Sequence, residues 1–512
     1  MSLPAFEDRG AVGPFYGKSF PMSSSEQPAR QDARVSSGVP GLDAVLGGGL
    51  LPSGVYVFVG EPGAGKTLLA NQLCYHQARS GARCLYVTLL AESHARMLSN
   101  MRDLAFFDPA LLPEGVYYVS GFRALEEQGL AGLLELLRRE VRNHGASILV
   151  LDGLVQALEA AGSNRDFKKF IHELQVAAGL ARFTVLMLTS ANGPTLHPEY
   201  TMVDGILELR ERTVGVRSWR ELQVRKFRGG ATLHGVHHFR ISRAGVEVFP
   251  RLEACVRREP PPDQGTRRVH FGVPSLDGLF PEGLAAGSTT LVIGPPGAGK
   301  TLLGSSLLSE GLRHHEPCLY MGFYEPPDRL LRKVASAGIE LRGAAQEGLL
   351  KLFWQPAAEC ILDVLADQLL SDVRKRQVKR VFVDGLSAME QSSAEPARMS
   401  SFFAALTQEL RCEGATTLFG LETPRLFGPV LDVPMEVGPS AVAENIFFLR
   451  HLELEGRLRR LLSIFKLRDT DYDSTLREFV ITRQGIEVLP PFGVSLDSLL
   501  TGLARHPGSG HS

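Results

Sequence analysis

Little in this sequence points to export, a membrane or a metal cluster. Its six cysteines, Cys74, Cys84, Cys255, Cys318, Cys360 and Cys412, are scattered, and none forms a C-x-x-C pair. They read as buried or inert thiols of a reducing cytosol. No apolar run nears the ~20 residues of a membrane span. The N-terminus lacks a basic start followed by an apolar core, so no secretory signal is expected and the cytoplasm is the expected compartment. The formal charge is only −1. That removes any global attraction to nucleic acid or to an anionic membrane, and neither is expected as a partner. What remains is an ordinary soluble composition, 22% charged and 44% hydrophobic. At 512 residues the chain is long enough for two or more domains.

What the sequence does hold is one loop, twice. Gly60-Glu61-Pro62-Gly63-Ala64-Gly65-Lys66-Thr67 and Gly294-Pro295-Pro296-Gly297-Ala298-Gly299-Lys300-Thr301 both fit G-x-x-x-x-G-K-[ST]. Each follows an apolar run, residues 55–59 and 290–293, that reads as a buried strand. Each precedes a helix-like run, residues 68–78 and 302–312. The glycines let backbone N–H groups turn inward around a phosphate, and the helix N-terminus adds a positive dipole end. Lys66 and Lys300 are placed to reach β/γ-phosphates, and the Thr67 and Thr301 hydroxyls to ligate Mg²⁺. ATP and Mg²⁺ are the expected cofactors.

The repeat is larger than the loop. Similar openings, Gly38-Val39-Pro40-Gly41-Leu42-Asp43 and Gly272-Val273-Pro274-Ser275-Leu276-Asp277, precede the two motifs. Gly272 minus Gly38 and Gly294 minus Gly60 both give an offset of 234. A period this long implies a duplicated domain rather than a solenoid. The expected division is a disordered tail at 1–32, a first domain at 33–252, a linker at 253–267, a second domain at 268–490 and a tail at 491–512. Pro260-Pro261-Pro262 favours an extended connector. Within each copy, buried strands alternate with helical spacing, which predicts a mostly parallel sheet flanked by helices. Each copy ends in strands of antiparallel character, beginning with 205–212 in the first and 445–454 in the second.

Asp152 and Asp384 each end a short apolar strand and precede a glycine. An acid there, one strand away from the phosphate loop, is placed to hold Mg²⁺ through water. Glu325 follows the strand at 318–323 and is the candidate general base or water-orienting group. In the first copy Glu92 stands one residue later than its counterpart. Lys226 with Arg228, and Lys466 with Arg468, could clamp a phosphate of a neighbouring subunit, or simply charge an edge strand against aggregation.

The loop, the strand-ending Asp and the terminal Lys-x-Arg strand together resemble the KaiC family within the RecA-like ATPases. The resemblance covers nearly the whole chain. It implies two tandem RecA-like P-loop domains, each a mostly parallel sheet flanked by helices with a C-terminal antiparallel hairpin. It also implies a homohexamer with ATP between adjacent subunits, ATP hydrolysis, and in some members serine/threonine autophosphorylation in the second domain. By that resemblance Lys226, Arg228, Lys466 and Arg468 approach the neighbour's nucleotide. The family's tandem Glu-Glu is not intact here. Tyr324-Glu325-Pro326 keeps a single glutamate, and Leu90-Ala91-Glu92 keeps at most one. Ser440 matches the family's phosphoacceptor serine, while Ala441 replaces the adjacent threonine.

The expected function is a KaiC-like ATP-binding and ATP-hydrolysing signalling or timing protein, with Ser440 as the candidate autokinase site and an unidentified signalling protein as partner. Two rivals stand beside it. A DNA-acting ATPase would need basic or aromatic loops after Asn192 and Thr423, where few basic residues occur. A nucleotide-gated scaffold would follow if the altered glutamates leave a site silent.

Overall fold

The computed structural model describes residues 34–90, 94–190, 202–214, 216–257, 266–356, 361–391, 396–423, 443–454 and 457–491. The expected tail at 1–32, all of the expected tail at 491–512 after Pro491, Glu92 and Ser440 lie outside the described residues.

Two nine-stranded sheets dominate, built on one plan. The first contains β1 (Val55–Gly60), β2 (Cys84–Thr88), β3 (Val116–Ser120), β4 (Ile148–Asp152), β5 (Thr184–Ser190), β6 (Gly205–Val214), β7 (Arg217–Phe227), β8 (Val236–Ser242) and β9 (Gly245–Phe249). Their order is β3-β2-β4-β5-β1-β6-β7-β8-β9. A short antiparallel pair, β10 (Arg268–Val269) with β11 (Leu284–Ala285), precedes the second sheet. That sheet holds β12 (Thr289–Gly294), β13 (Cys318–Gly322), β14 (Leu350–Trp354), β15 (Arg380–Asp384), β16 (Thr416–Glu422), β17 (Asn445–Leu454), β18 (Arg457–Lys466), β19 (Arg477–Thr482) and β20 (Gly485–Pro491). Its order, β14-β13-β15-β16-β12-β17-β18-β19-β20, repeats the first permutation.

The central strands are continuous apolar runs because both faces are covered. Every residue of β1, β2 and β4 is buried. One face packs on the helix Lys66–Arg79, through Leu69, Leu73 and Tyr75 against Phe58 and Tyr86. The other packs on the helices Phe122–His144 and Asn164–Ala181, through Leu133, Leu137, Phe167 and Ile171. Each fully buried side chain of this size contributes about 1.5–3 kcal/mol by leaving water. The second domain repeats both layers.

One strand in each domain departs from the sequence reading. β6 begins the group expected to be antiparallel, yet it runs parallel to β1 and only then turns into the hairpin with β7. β17 does the same beside β12. The antiparallel portion therefore extends the sheet at its edge, and the phosphate-loop strand is flanked by parallel neighbours on both sides.

The connector also holds more structure than an extended link. A short helix, Leu252–Cys255, precedes the proline-rich stretch and packs on the helix Met399–Cys412. Asp363, on the helix Leu362–Arg376, lies fully buried where the domains meet. It takes hydrogen bonds from the Leu252 N–H at 3.1 Å and from Arg398 at 2.9 Å, and lies 3.1 Å from His238 Nδ1.

Candidate nucleotide sites

Each glycine-rich loop joins a central strand to a helix, and the last loop glycine sets the turn. Gly65 and Gly299 precede the helices Lys66–Arg79 and Lys300–Arg313 at φ 99° and 108°. That left-handed region strains any residue with a Cβ. The space is closed as well. A Cβ on Gly65 would stand 2.8 Å from Ile241 Cδ1, and one on Gly299 2.5 Å from Phe479 Cε1. The terminal strands thus back the loops from behind.

The loop lysines fold over their own turns. Lys66 Nζ donates to the Gly60 and Glu61 carbonyls at 2.8 and 2.9 Å. Lys300 Nζ donates to Gly294 and Pro295 at the same two distances. Burial lowers both ammonium pKa values, opposed in the first site by Asp152 and Glu61 and in the second by Glu422 and Asp384.

The expected metal residues converge in both domains. Thr67 Oγ1 donates to Asp152 Oδ2 at 3.0 Å, and Thr301 Oγ1 to Asp384 Oδ2 at 2.8 Å. The same carboxylate oxygens accept from Tyr86 at 2.8 Å and from Tyr320 at 3.3 Å. Burial pushes both carboxyls above the usual range, although these hydroxyls and the nearby lysines pull the other way. A buried acid beside a hydroxyl is a hard oxygen set, and a divalent cation supplies the charge it lacks. The donors therefore fit Mg²⁺.

The second site carries charges that the first does not. Glu422 ends β16 beside Gly294, with Oε1 3.8 Å from Lys300 Nζ. The matching register partner of Gly60 is the neutral Ser190. Glu325 Oε1 accepts from Lys333 Nζ at 3.1 Å, while Oε2 is shut from solvent without a hydrogen-bond partner among the described residues. In the first site, the His94 Nε2 to Thr88 Oγ1 contact of 2.8 Å lies at the end of β2, and burial lowers the imidazole pKa.

The Lys-x-Arg residues do not join their own loops. Lys226 lies opposite Ile206, which runs beside Val57, three residues before Gly60. At 3.3 Å per residue that is roughly 10 Å below the loop. Lys466 holds the equivalent place opposite Ile446, beside Leu291. Other hairpin residues, which sequence reasoning missed, reach the loops instead. Arg220 Nη1 donates to the Gly63 carbonyl at 3.4 Å, Arg460 Nε to Gly297 at 3.0 Å, and His451 Nε2 lies 3.3 Å from the Pro296 carbonyl. The offset of 234 pairs Tyr86 with Tyr320, so the duplication was a signal for those phenols.

Two phosphate loops on two parallel sheets, each facing a strand-ending acid, define a tandem P-loop ATPase architecture. The description "ATPase: KaiC" matches residues 35–253 and 269–492, and the chain belongs to that family. It is 26% identical over 486 residues to the circadian clock oscillator protein KaiC of Picosynechococcus sp., covering 92% of both chains. Against the circadian clock oscillator protein KaiC 1 of Synechocystis sp. it is 25% identical over 481 residues, covering 91% of each. The circadian clock protein KaiC3 of the same organism is also 25% identical, over 90% of this chain and 92% of its own.

Proposed function

We propose that the chain binds ATP in both domains and hydrolyses it in the second, as a slow signalling or timing ATPase that assembles into a cytoplasmic homohexamer. The observation that carries this reading is the convergence of Lys300, the Thr301 hydroxyl and the Asp384 carboxylate at one loop. Phosphoryl transfer needs positioning and charge neutralisation more than covalent chemistry. The Gly294–Thr301 loop cradles the phosphates with backbone N–H groups, and Lys300 moves from the loop carbonyls to the β/γ-phosphates. Thr301 and Asp384 hold the Mg²⁺, which when bound neutralises charge on the phosphate oxygens. Glu325 orients the attacking water and accepts its proton. Lys466 lies roughly 10 Å from its own loop, with Arg468 two residues further along the chain, which suits a role at the neighbouring subunit's nucleotide.

In the first domain Lys66, Thr67 and Asp152 form the same set, and Lys226 with Arg228 the same trans pair. Glu92 is the water-orienting candidate there, outside the described residues. The first domain is read as mainly binding ATP and holding the ring together. Autophosphorylation at Ser440, and coupling to a signalling partner, extend this reading on the strength of the family resemblance alone.

The test compares steady-state ATPase rates of the wild type, Glu325→Gln and Glu92→Gln, with native mass measured with and without ATP. Loss in Glu325→Gln and an ATP-dependent six-subunit mass are expected. Unchanged rates in both variants would sink the hydrolysis assignment. Phosphate mapping after ATP incubation tests Ser440, and an unmodified second domain removes the kinase branch.

A further inference from the structure

The second site contains a lysine that the phosphate-loop pattern does not require. Lys333 lies on the helix Pro327–Ser336, two turns past Glu325. Leu330, Leu331 and Val334 bury the other face of that helix in the core. The packing fixes where the Lys333 stem emerges. Its Nζ donates to Glu325 Oε1 at 3.1 Å, with the lysine side chain 44% and the glutamate side chain 23% exposed. One carboxylate oxygen is therefore held. The other, Oε2, is buried and has no hydrogen-bond partner among the described residues.

The pair lies within electrostatic reach of the phosphate site. The Glu325 charge acts on the Tyr320 phenol, which itself donates to Asp384 Oδ2. The Lys333 charge acts on both Asp384 and Lys300. At the offset of 234 the first domain has Ser99, and one residue further Asn100. Neither carries a charge.

We propose that Lys333 is a positioning residue for hydrolysis in the second domain: it holds Glu325 by Oε1 and so fixes the carboxylate that orients the attacking water. This rests on the reading of Glu325 given above. In that step the water oxygen forms a bond to the γ-phosphorus, and the bond from phosphorus to the β–γ bridging oxygen breaks. Its electron pair leaves with ADP, and the water proton passes to the Glu325 carboxylate. Lys333 touches neither substrate nor water. It fixes the rotamer of the group that does, and misplacement by about 1 Å costs rate far more than affinity.

The test uses the full chain and measures ATPase rate against ATP concentration. The second-domain share is the rate lost in Glu325→Gln. Lys333→Met is expected to remove that share roughly tenfold or more, with KM within about twofold. Lys333→Arg restores most of it. The double variant Lys333→Met/Glu325→Gln should be no slower than Glu325→Gln alone. Full activity in Lys333→Met while Glu325→Gln is impaired overturns the Lys333 assignment and leaves the hydrolysis reading standing. Equal loss from Lys333→Met with and without Glu325 also overturns it. Full activity in Glu325→Gln overturns both.

Discussion

Arg398 grips Glu253 through two hydrogen bonds of 2.7 Å, from Nε and Nη2. The arginine stands at the head of a second-domain helix, and the glutamate lies on the short helix that follows the first sheet. The same guanidinium also bonds Asp363, which faces His238 of β8. All four side chains are at least four-fifths buried. A cluster of this kind is weak evidence for net stability, but removing one member strands the others.

Arg398→Met should therefore cost about 3–5 kcal/mol of cohesion between the domains. Calorimetry should resolve one cooperative transition into two. A single unshifted transition would show that the cluster carries no coupling.

Acid should act on the same junction. Burial raises the Asp363 carboxyl, but hydrogen bonds and charge from His238 and Arg398 outweigh it and hold it below its ordinary 3.8. A depressed pKa gives stability that is present above the unfolded value and lost as pH falls through the folded one. Cohesion should hold down to about pH 4 and fail below it. Asp363→Asn should flatten that acid dependence in a melting series.

Asp384 has the opposite sign. Its carboxyl is raised chiefly by burial, so the charged form opposes folding at neutral pH until a cation arrives. Asp384→Asn should raise the melting temperature of the nucleotide-free chain, by about 2–4 °C per kcal/mol gained. The same variant should lose Mg²⁺-dependent ATP binding. A lower melting temperature without nucleotide would refute the argument.

Glu422→Ser installs in the second domain what the first domain has at Ser190. The carboxylate 3.8 Å from Lys300 competes with phosphate for the ammonium. Its side chain is 37% exposed, so the effect is modest, about 0.2–1 kcal/mol. A fluorescent ATP analogue should bind up to about fivefold tighter in the variant, and no tightening counts against competition.

Shared sites would reveal themselves by mixing. Lys300→Ala chains lack the loop cation, and Lys466→Ala/Arg468→Ala chains lack the trans pair. Each alone should be nearly inactive in the second domain. Co-assembled, they should recover part of the rate, because some interfaces then combine an intact loop with an intact pair. No recovery in verified mixed rings would place Lys466 and Arg468 outside the site.

The loops and their acids were legible because each lies within one contiguous run. Gly60 to Thr67 and Ile148 to Asp152 state their own local structure. Arg220 and Arg460 were not, since their loop partners are 157 and 163 residues away. Only hairpin register brings them together. The strands Val116–Ser120 and Leu350–Trp354 were missed for another reason. They are edge strands buried at their first residue and increasingly open toward their ends, and they lack the aliphatic run that marked the centre. The lysine at 333 carried no motif, and only helix packing showed what it touches.

Alternation along β8 has a mechanical consequence. Phe239 and Ile241 lie behind the first phosphate loop at Gly65, while His238, the residue before Phe239, turns the other way to Asp363. One rigid ribbon is thus both the floor of a nucleotide pocket and a wall of the domain junction. A shift of that ribbon of even an ångström cannot be confined to one side of the sheet. Filling the first pocket and seating the second domain draw on the same few residues of backbone.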